Sequence, residues 1–123
     1  MVTIKDITKM ILQFRDERDW KSYHTPRNLA ISLIAEVGEL FEHFQWRTDE
    51  EILQYVKDKE KNEKVAEELA DIAIYLLLLA NELGVNLEKA VIDKIEKNKK
   101  KYPVELVRGK YLKYSELSKD DNR

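Results

Sequence analysis

The sequence predicts an all-α fold, a four-helix-bundle-like domain, on three observations. Apolar residues recur at helical spacing through most of the 123-residue chain. Three glycines and two prolines are too few to punctuate the turns of a β-sandwich. Charged residues make up 37%, drawn mainly from Lys, Glu and Asp with little Ser or Thr, a surface typical of helices. A hydrophobic fraction of 43% is enough for one core at this length, and a second domain is not expected.

The first helix opens at Thr3, whose hydroxyl caps the turn with Asp6 at the capping-box position. Ile4, Ile7, Ile11 and Phe14 carry its apolar stripe to about Arg18. Asp19 to Thr25 breaks the period. Thr25 and Pro26 then read as an N-cap followed by proline at the first helical position. The second helix runs to about Trp46, with Leu29, Leu33, Ile34, Val37, Leu40, Phe41 and Phe44 on a broad apolar side. Thr48 and Glu51 form another capping box, opening a short helix through Ile52, Leu53 and Val56. It fades into the charged run Lys57 to Lys64, read as a loop or frayed turn.

A long third helix is expected over roughly Asn62 to Leu83, stopped by Gly84, which can take the left-handed conformation beyond a helix end. Asn86 caps the next helix, which continues to about Lys101. It ends at Tyr102-Pro103 because the residue before proline is pushed out of helical geometry. The organisation is then a helical domain over 1–103 and a basic to polar tail over 104–123, extended and packed in part through Val107, Tyr111 and Leu112.

Composition removes several chemistries. With no cysteine there are no disulfides, thiolate zinc sites, iron–sulfur clusters or cysteine nucleophiles, which suits a reducing cytoplasm. With only His24 and His43 there is no three-histidine metal site and little material for a Ser-His-Asp triad. The start of the chain lacks the apolar core of a signal peptide. The longest apolar run, Ile72 to Ala80, is about half the roughly 18 residues a membrane span requires. A soluble cytoplasmic protein without membrane partners is expected.

Charge is unevenly spread although the net value is only −2. Residues 36–71 hold twelve acidic and five basic side chains, whereas 89–113 hold nine basic and three acidic ones. These are either two solvated helix faces or an acidic site that gathers cations beside a basic wall that meets an anion. Lys97, Lys99, Lys100 and Lys101 are not accompanied by a nucleic-acid reading motif, so no nucleic acid partner is expected. The stretch Leu69 to Ala80 is apolar on nearly every side, and a second copy of the chain is the economical cover, giving a homodimer or homotetramer, with a central helix wrapped by its own chain as the competing account.

Glu36 and Glu39 stand three apart on the second helix, and Glu68 and Asp71 three apart on the third, a spacing that puts each pair on one helix face. Spacing alone is weak, because six acidic pairs in the chain share it. The surroundings set these two apart: Leu33, Ile34, Val37, Leu40 and Phe41 about the first, Leu69, Ala70, Ile72 and Ala73 about the second. Like charges about 4 Å apart repel by roughly 4 kcal/mol at an effective dielectric near 20, so four together call for a cation. Carboxylates without histidine favour Mg²⁺, with Mn²⁺ as an alternative, over zinc. A di-iron bundle is disfavoured because neither histidine lies three residues after a glutamate. Solvated faces and internal salt bridges are the competing account.

At these residues the sequence resembles the all-α nucleoside triphosphate pyrophosphohydrolases, the MazG-like superfamily, and most closely its dCTP pyrophosphatase branch. The Glu-x-x-Glu, spacer, Glu-x-x-Asp pattern is met by Glu36, Glu39, Glu68 and Asp71. Around it stand Glu17-Arg18-Asp19-Trp20, Pro26-Arg27-Asn28-Leu29, Phe44-Gln45-Trp46 and Tyr102-Pro103, and the likeness spans about residues 4–117. The resemblance implies a MazG-type fold and Mg²⁺-dependent hydrolysis between the α and β phosphates of a nucleoside triphosphate, dCTP or a modified dNTP, to monophosphate and pyrophosphate.

It further implies that the four carboxylates hold metal and carry catalysis. Lys94, Asn98, Tyr75 and Tyr102 would face the triphosphate, Trp20 and Trp46 would wall the base, and His24 and Asn28 would lie near the nucleotide. One departure leaves base preference open: Ile11 stands where vertebrate members of the branch carry a histidine. The competing readings are the same hydrolysis on a different triphosphate and a non-catalytic helical interaction module.

Overall fold

The computed structural model of the chain describes residues 1–111 and 113–116. Its regular elements are all helical: α1 (Ile4–Glu17), α2 (Pro26–Phe44), α3 (Asp49–Tyr55), α4 (Lys59–Glu82), α5 (Leu87–Lys101) and α6 (Val104–Val107), with a single 3-10 turn at Lys21–Tyr23. They fall into two compact units, the first ending at Val85 and the second starting at Asn86. The all-α expectation stands.

Side chains at the helix starts set the boundaries. Thr3 and Asp6 close a reciprocal capping box on α1, and Thr48 and Glu51 do the same for α3. Thr25 accepts from the Asn28 backbone N–H ahead of Pro26, and Asn86 from that of Lys89. Gly84 takes φ +67° just past α4, the left-handed conformation a helix exit favours.

Two expectations fail at the ends of elements. The charged run after Lys57 is not a loop: α4 begins at Lys59, because Asp58 accepts from the Lys61 N–H as its N-cap. The segment after Pro103 is not wholly extended, since Val104–Val107 form a helical turn led by Pro103. Val107 is half-buried, but Tyr111 is fully exposed and so does not pack, while Leu112 and residues 117–123 lie outside the described residues.

In the first unit α2 packs along α4, and α1 packs on α4 over a shorter stretch. Residues near the start of α2 neighbour Glu82, and Glu36 and Glu39 neighbour Glu68, so the two long helices run antiparallel. Leu29, Val65, Leu78 and Ala80 form the buried core. Ile31, Ile34, Phe41, Leu69 and Leu76 remain exposed on the outer faces of the same two helices. The second unit holds α5, on which Val91, Ile92 and Ile95 are exposed. Among the described residues no helix is long and apolar enough to cross a membrane.

Leu29 is only 1% exposed, and truncating it leaves a cavity between packed helices. Leu29→Ala is expected to destabilise the chain by about 2 to 5 kcal/mol, whereas Asp58→Ala, which removes one cap, costs about 1 kcal/mol. Urea denaturation followed by circular dichroism ranks the two.

Candidate active site

Glu36, Glu39 and Glu68 meet between α2 and α4, each offering a carboxylate oxygen within 4.8 Å of the other two. Helix periodicity accounts for it: residues three apart share a face, and the antiparallel crossing turns the two acidic faces toward each other. Asp71, half-buried one turn beyond Glu68, stands outside that triad, though its charge is felt by both Glu36 and Glu68.

One oxygen of Glu36 and one of Glu68 are shut off from solvent without a hydrogen-bond partner. Loss of water, then the carboxyl of Glu39, then the charge of Asp71 push the Glu36 carboxyl from its ordinary 4.5 up to about 7. Glu68 is also raised, by loss of water first and then by Glu39, with a hydrogen bond to Glu36 opposing and the charge of Asp71 adding. Buried carboxylate oxygens without donors are the natural complement of a hard cation, and an all-oxygen donor set fits Mg²⁺ or Mn²⁺.

The remaining residues expected at the site are divided between the first unit and the second. Tyr75 is half-buried one turn past Asp71, on the same side of α4. Trp20 precedes α2 and makes an edge-to-face contact with Phe14 at 5.8 Å, while Trp46 follows α2 and is 92% exposed with φ +69°. The 19 residues of α2 separate the two indoles by roughly 28 Å of helix, so one chain does not bring them together.

His24 lies beside Arg15 and Glu82, and Glu82 is roughly 21 Å along α4 from Glu68. Burial and the Arg15 charge hold its imidazole below the ordinary value, and its Nδ1 is buried without a partner. Asn28 donates its side-chain amide to the Tyr23 carbonyl at 3.0 Å, tying the 3-10 turn to α2. Lys94 and Asn98 are exposed on α5, one turn apart, and Tyr102 caps the end of that helix in the second unit.

Two clusters escaped the sequence reading. Arg15 is buried in an ion pair with Glu82, and the signal was its place four residues after Ile11 on the inward stripe of α1. His43 Nδ1 meets the Tyr55 hydroxyl at 2.8 Å, and Arg47 and Lys61 lie over the Tyr55 ring. Nothing in the spacing of those four residues pointed to their meeting.

Fold and cluster together define the class: an all-helical chain with an oxygen-only site suited to a hard divalent cation. Residues 31–117 match the MazG-like family. The dCTP pyrophosphatase 1 proteins of Rattus norvegicus and Bos taurus are each 44% identical over 115 residues, which cover 94% of this chain and 68% of theirs. The Homo sapiens protein of that name is 43% identical over the same shares. A crystal structure of a pyrophosphatase from Archaeoglobus fulgidus DSM 4304 superposes with a TM-score of 0.74 at 43% identity, covering 80% of this chain and 91% of that one. The chain belongs to the MazG-like family.

The raised carboxyls give a signed pH dependence. Between 4.5 and about 7 the metal-free native state holds a proton on Glu36 that the unfolded chain has released. The stability this group contributes is therefore full below about 4.5 and lost as pH rises through about 7. Glu36→Gln is expected to flatten the decline in that window and to make the metal-free protein more stable than the parent at pH 8. Urea denaturation in EDTA across pH 4 to 8 measures both.

Proposed function

We propose that this protein is a nucleoside triphosphate pyrophosphohydrolase that uses Mg²⁺, with Mn²⁺ able to substitute, and acts on dCTP or a modified dNTP. The observation that carries this reading is the meeting of Glu36, Glu39 and Glu68 with two buried, unpartnered oxygens, in a chain of the MazG-like family. The dCTP pyrophosphatase relatives supply the substrate class.

Glu36, Glu39, Glu68 and Asp71 would hold the cation. When bound, a divalent ion supplies electrostatic stabilisation to phosphate oxygens. Whichever of Glu36 and Glu39 keeps an oxygen free of ligation orients the attacking water and takes its proton. Water adds across the link between the α and β phosphates, that P–O bond breaks, and the products are a monophosphate and pyrophosphate. In the first unit the Tyr75 hydroxyl would add a donor to the triphosphate, and in the second Lys94, Asn98 and Tyr102 carry a cation, an amide and a hydroxyl of the kinds a triphosphate binds. Trp20 and Trp46 offer flat faces to the base, with His24 and Asn28 on the turn beside Trp20.

A base pocket walled by both tryptophans requires more than one copy of the chain, since the roughly 28 Å length of α2 lies between them. The exposed face of α2 supports a homodimer or homotetramer. Ile31, Ile34, Gly38 and Phe41 follow one another at spacings of three and four on that face, with Ile34 71% and Phe41 61% exposed. A Cβ added at Gly38 would meet nothing within 4 Å in its own chain. A helix-interior glycine costs about 1 kcal/mol against alanine, so the gap suits close approach by the partner's helix.

Purified protein with Mg²⁺ is expected to release pyrophosphate and monophosphate from dCTP or a modified dNTP in a panel of triphosphates. Glu36→Gln and Glu68→Gln should each lower kcat by at least about 10²-fold while leaving the helical circular dichroism unchanged. No monophosphate from any triphosphate, together with unaltered metal binding in Glu36→Gln, would make the chain a non-catalytic interaction module. Ile34→Asp is expected to give a monomer by sedimentation velocity and to lose activity with the assembly. A fully active monomer would remove the shared pocket.

A further inference from the structure

Among the described residues Arg15 is the only buried charged side chain, at 5% exposure. Its Nη1 reaches Glu82 Oε1 at 3.3 Å across 67 residues of sequence, and its Nε donates to Asp16 at 2.8 Å. The pair thus ties the last turn of α1 to the last turn of α4. It is the one ion pair among the described residues that joins distant elements, since the others lie within four residues of each other.

The segment leaving α1 hangs from the same residue. The Arg15 carbonyl accepts the Trp20 N–H at 3.1 Å and the Arg18 N–H at 3.2 Å, and the chain between them passes through Asp19 at φ +55°. A non-glycine residue in that conformation persists only where its surroundings hold it. From Trp20 the 3-10 turn leads to His24, whose ring lies 6.4 Å from the indole. The charges of both Arg15 and Glu82 act on that ring, and its Nδ1 is buried without a partner. At the far end Asn28 fixes the turn to α2 through the Tyr23 carbonyl. The turn is therefore held at both ends by hydrogen bonds, and beside His24 stands the one long-range ion pair.

We propose that Arg15 and Glu82 form a positioning pair, which sets the orientation of Trp20 and His24 and so governs how well the base is held. The assignment rests on the proposed pyrophosphohydrolase reading, in which Trp20 walls the base. The pair lies roughly 21 Å along α4 from Glu68, so its influence falls on nucleotide binding and not on the carboxylate chemistry. Removing Glu82 leaves the buried Arg15 with Asp16 alone and cuts the tie between α1 and α4, so the turn is free to settle elsewhere.

The test compares Glu82→Gln with the double variant Arg15→Met/Glu82→Leu, in which apolar groups of similar size restore packing without charge. Glu82→Gln is expected to raise KM by about tenfold with kcat and Mn²⁺ affinity within about twofold of the parent. The double variant should recover thermal stability yet keep the raised KM. In a Trp46→Phe background without nucleotide, either change should make Trp20 fluorescence more open to acrylamide quenching.

A double variant with parental KM and quenching would overturn the proposal, because packing alone would then suffice. A fall in kcat together with weakened Mn²⁺ binding would overturn it too, by placing the effect at the carboxylates. If the parent protein releases no pyrophosphate from any triphosphate, the pyrophosphohydrolase reading fails on its own terms. The quenching comparison then decides the pair separately: altered quenching upholds its hold on Trp20, and unaltered quenching removes it.

Discussion

Three carboxylates, each better solvated in water, share one gap between α2 and α4, and the chain supplies no donor to the two oxygens turned away from solvent. That unmet demand organises the rest of the first unit. The antiparallel crossing sets Glu36 and Glu39 against Glu68, and the apolar neighbours on both helices withdraw water from the gap. Glu36 responds by keeping its proton to about pH 7 in the absence of metal. If the proposed cation binds there, the site trades stability of the metal-free chain for affinity, because ligand binding to the native state returns what the clustered charges cost. Metal uptake would then be coupled to proton release, since the ligands must be ionised to coordinate.

The same two helices explain why one chain looks unfinished. Among the described residues their inner faces bury only Leu29, Val65, Leu78 and Ala80 of the apolar side chains, while Ile34, Phe41, Leu69 and Leu76 remain open to solvent. A domain of this size normally withdraws more of its apolar surface from water. The tryptophans lead to the same conclusion by a separate route. The length of α2 keeps them at opposite ends, so on the proposed reading one partner helix would both complete a pocket built from the two and cover the exposed face.

Legibility in the sequence followed the range of the interaction. Caps at Thr3, Thr25, Thr48 and Asn86 act over three residues, and each set a helix start where the spacing placed it. Asp58 was missed because it sits inside a charged run, where a capping carboxylate looks like any other acid. The carboxylate cluster could be read because each pair shares a helix face and interrupts apolar surroundings. The surroundings of His24 could not, since they include the charges of Arg15 and Glu82, which meet across 67 residues in a contact that periodicity does not encode. Trp20 and Trp46 were legible as aromatic surfaces but not as a pair, because only the length of the intervening helix shows how far apart they stand.

On the proposed reading, Arg15 would let a small helical unit place specificity away from its chemistry. On the stripe of α1 an apolar residue four after Ile11 would pack with less penalty than a guanidinium, whose burial is costly unless it is fully partnered. Arg15 is partnered at both ends, by Asp16 on its own helix and by Glu82 on α4. Its carbonyl meanwhile anchors the strained segment that carries Trp20. An apolar substitute could fill the volume, but it would not tie α1 to α4 in one orientation, because dispersion contacts tolerate small rotations that a hydrogen-bonded ion pair resists. The cost of burying Arg15 is therefore understandable if the orientation of the turn matters more than the stability of the helix that bears it.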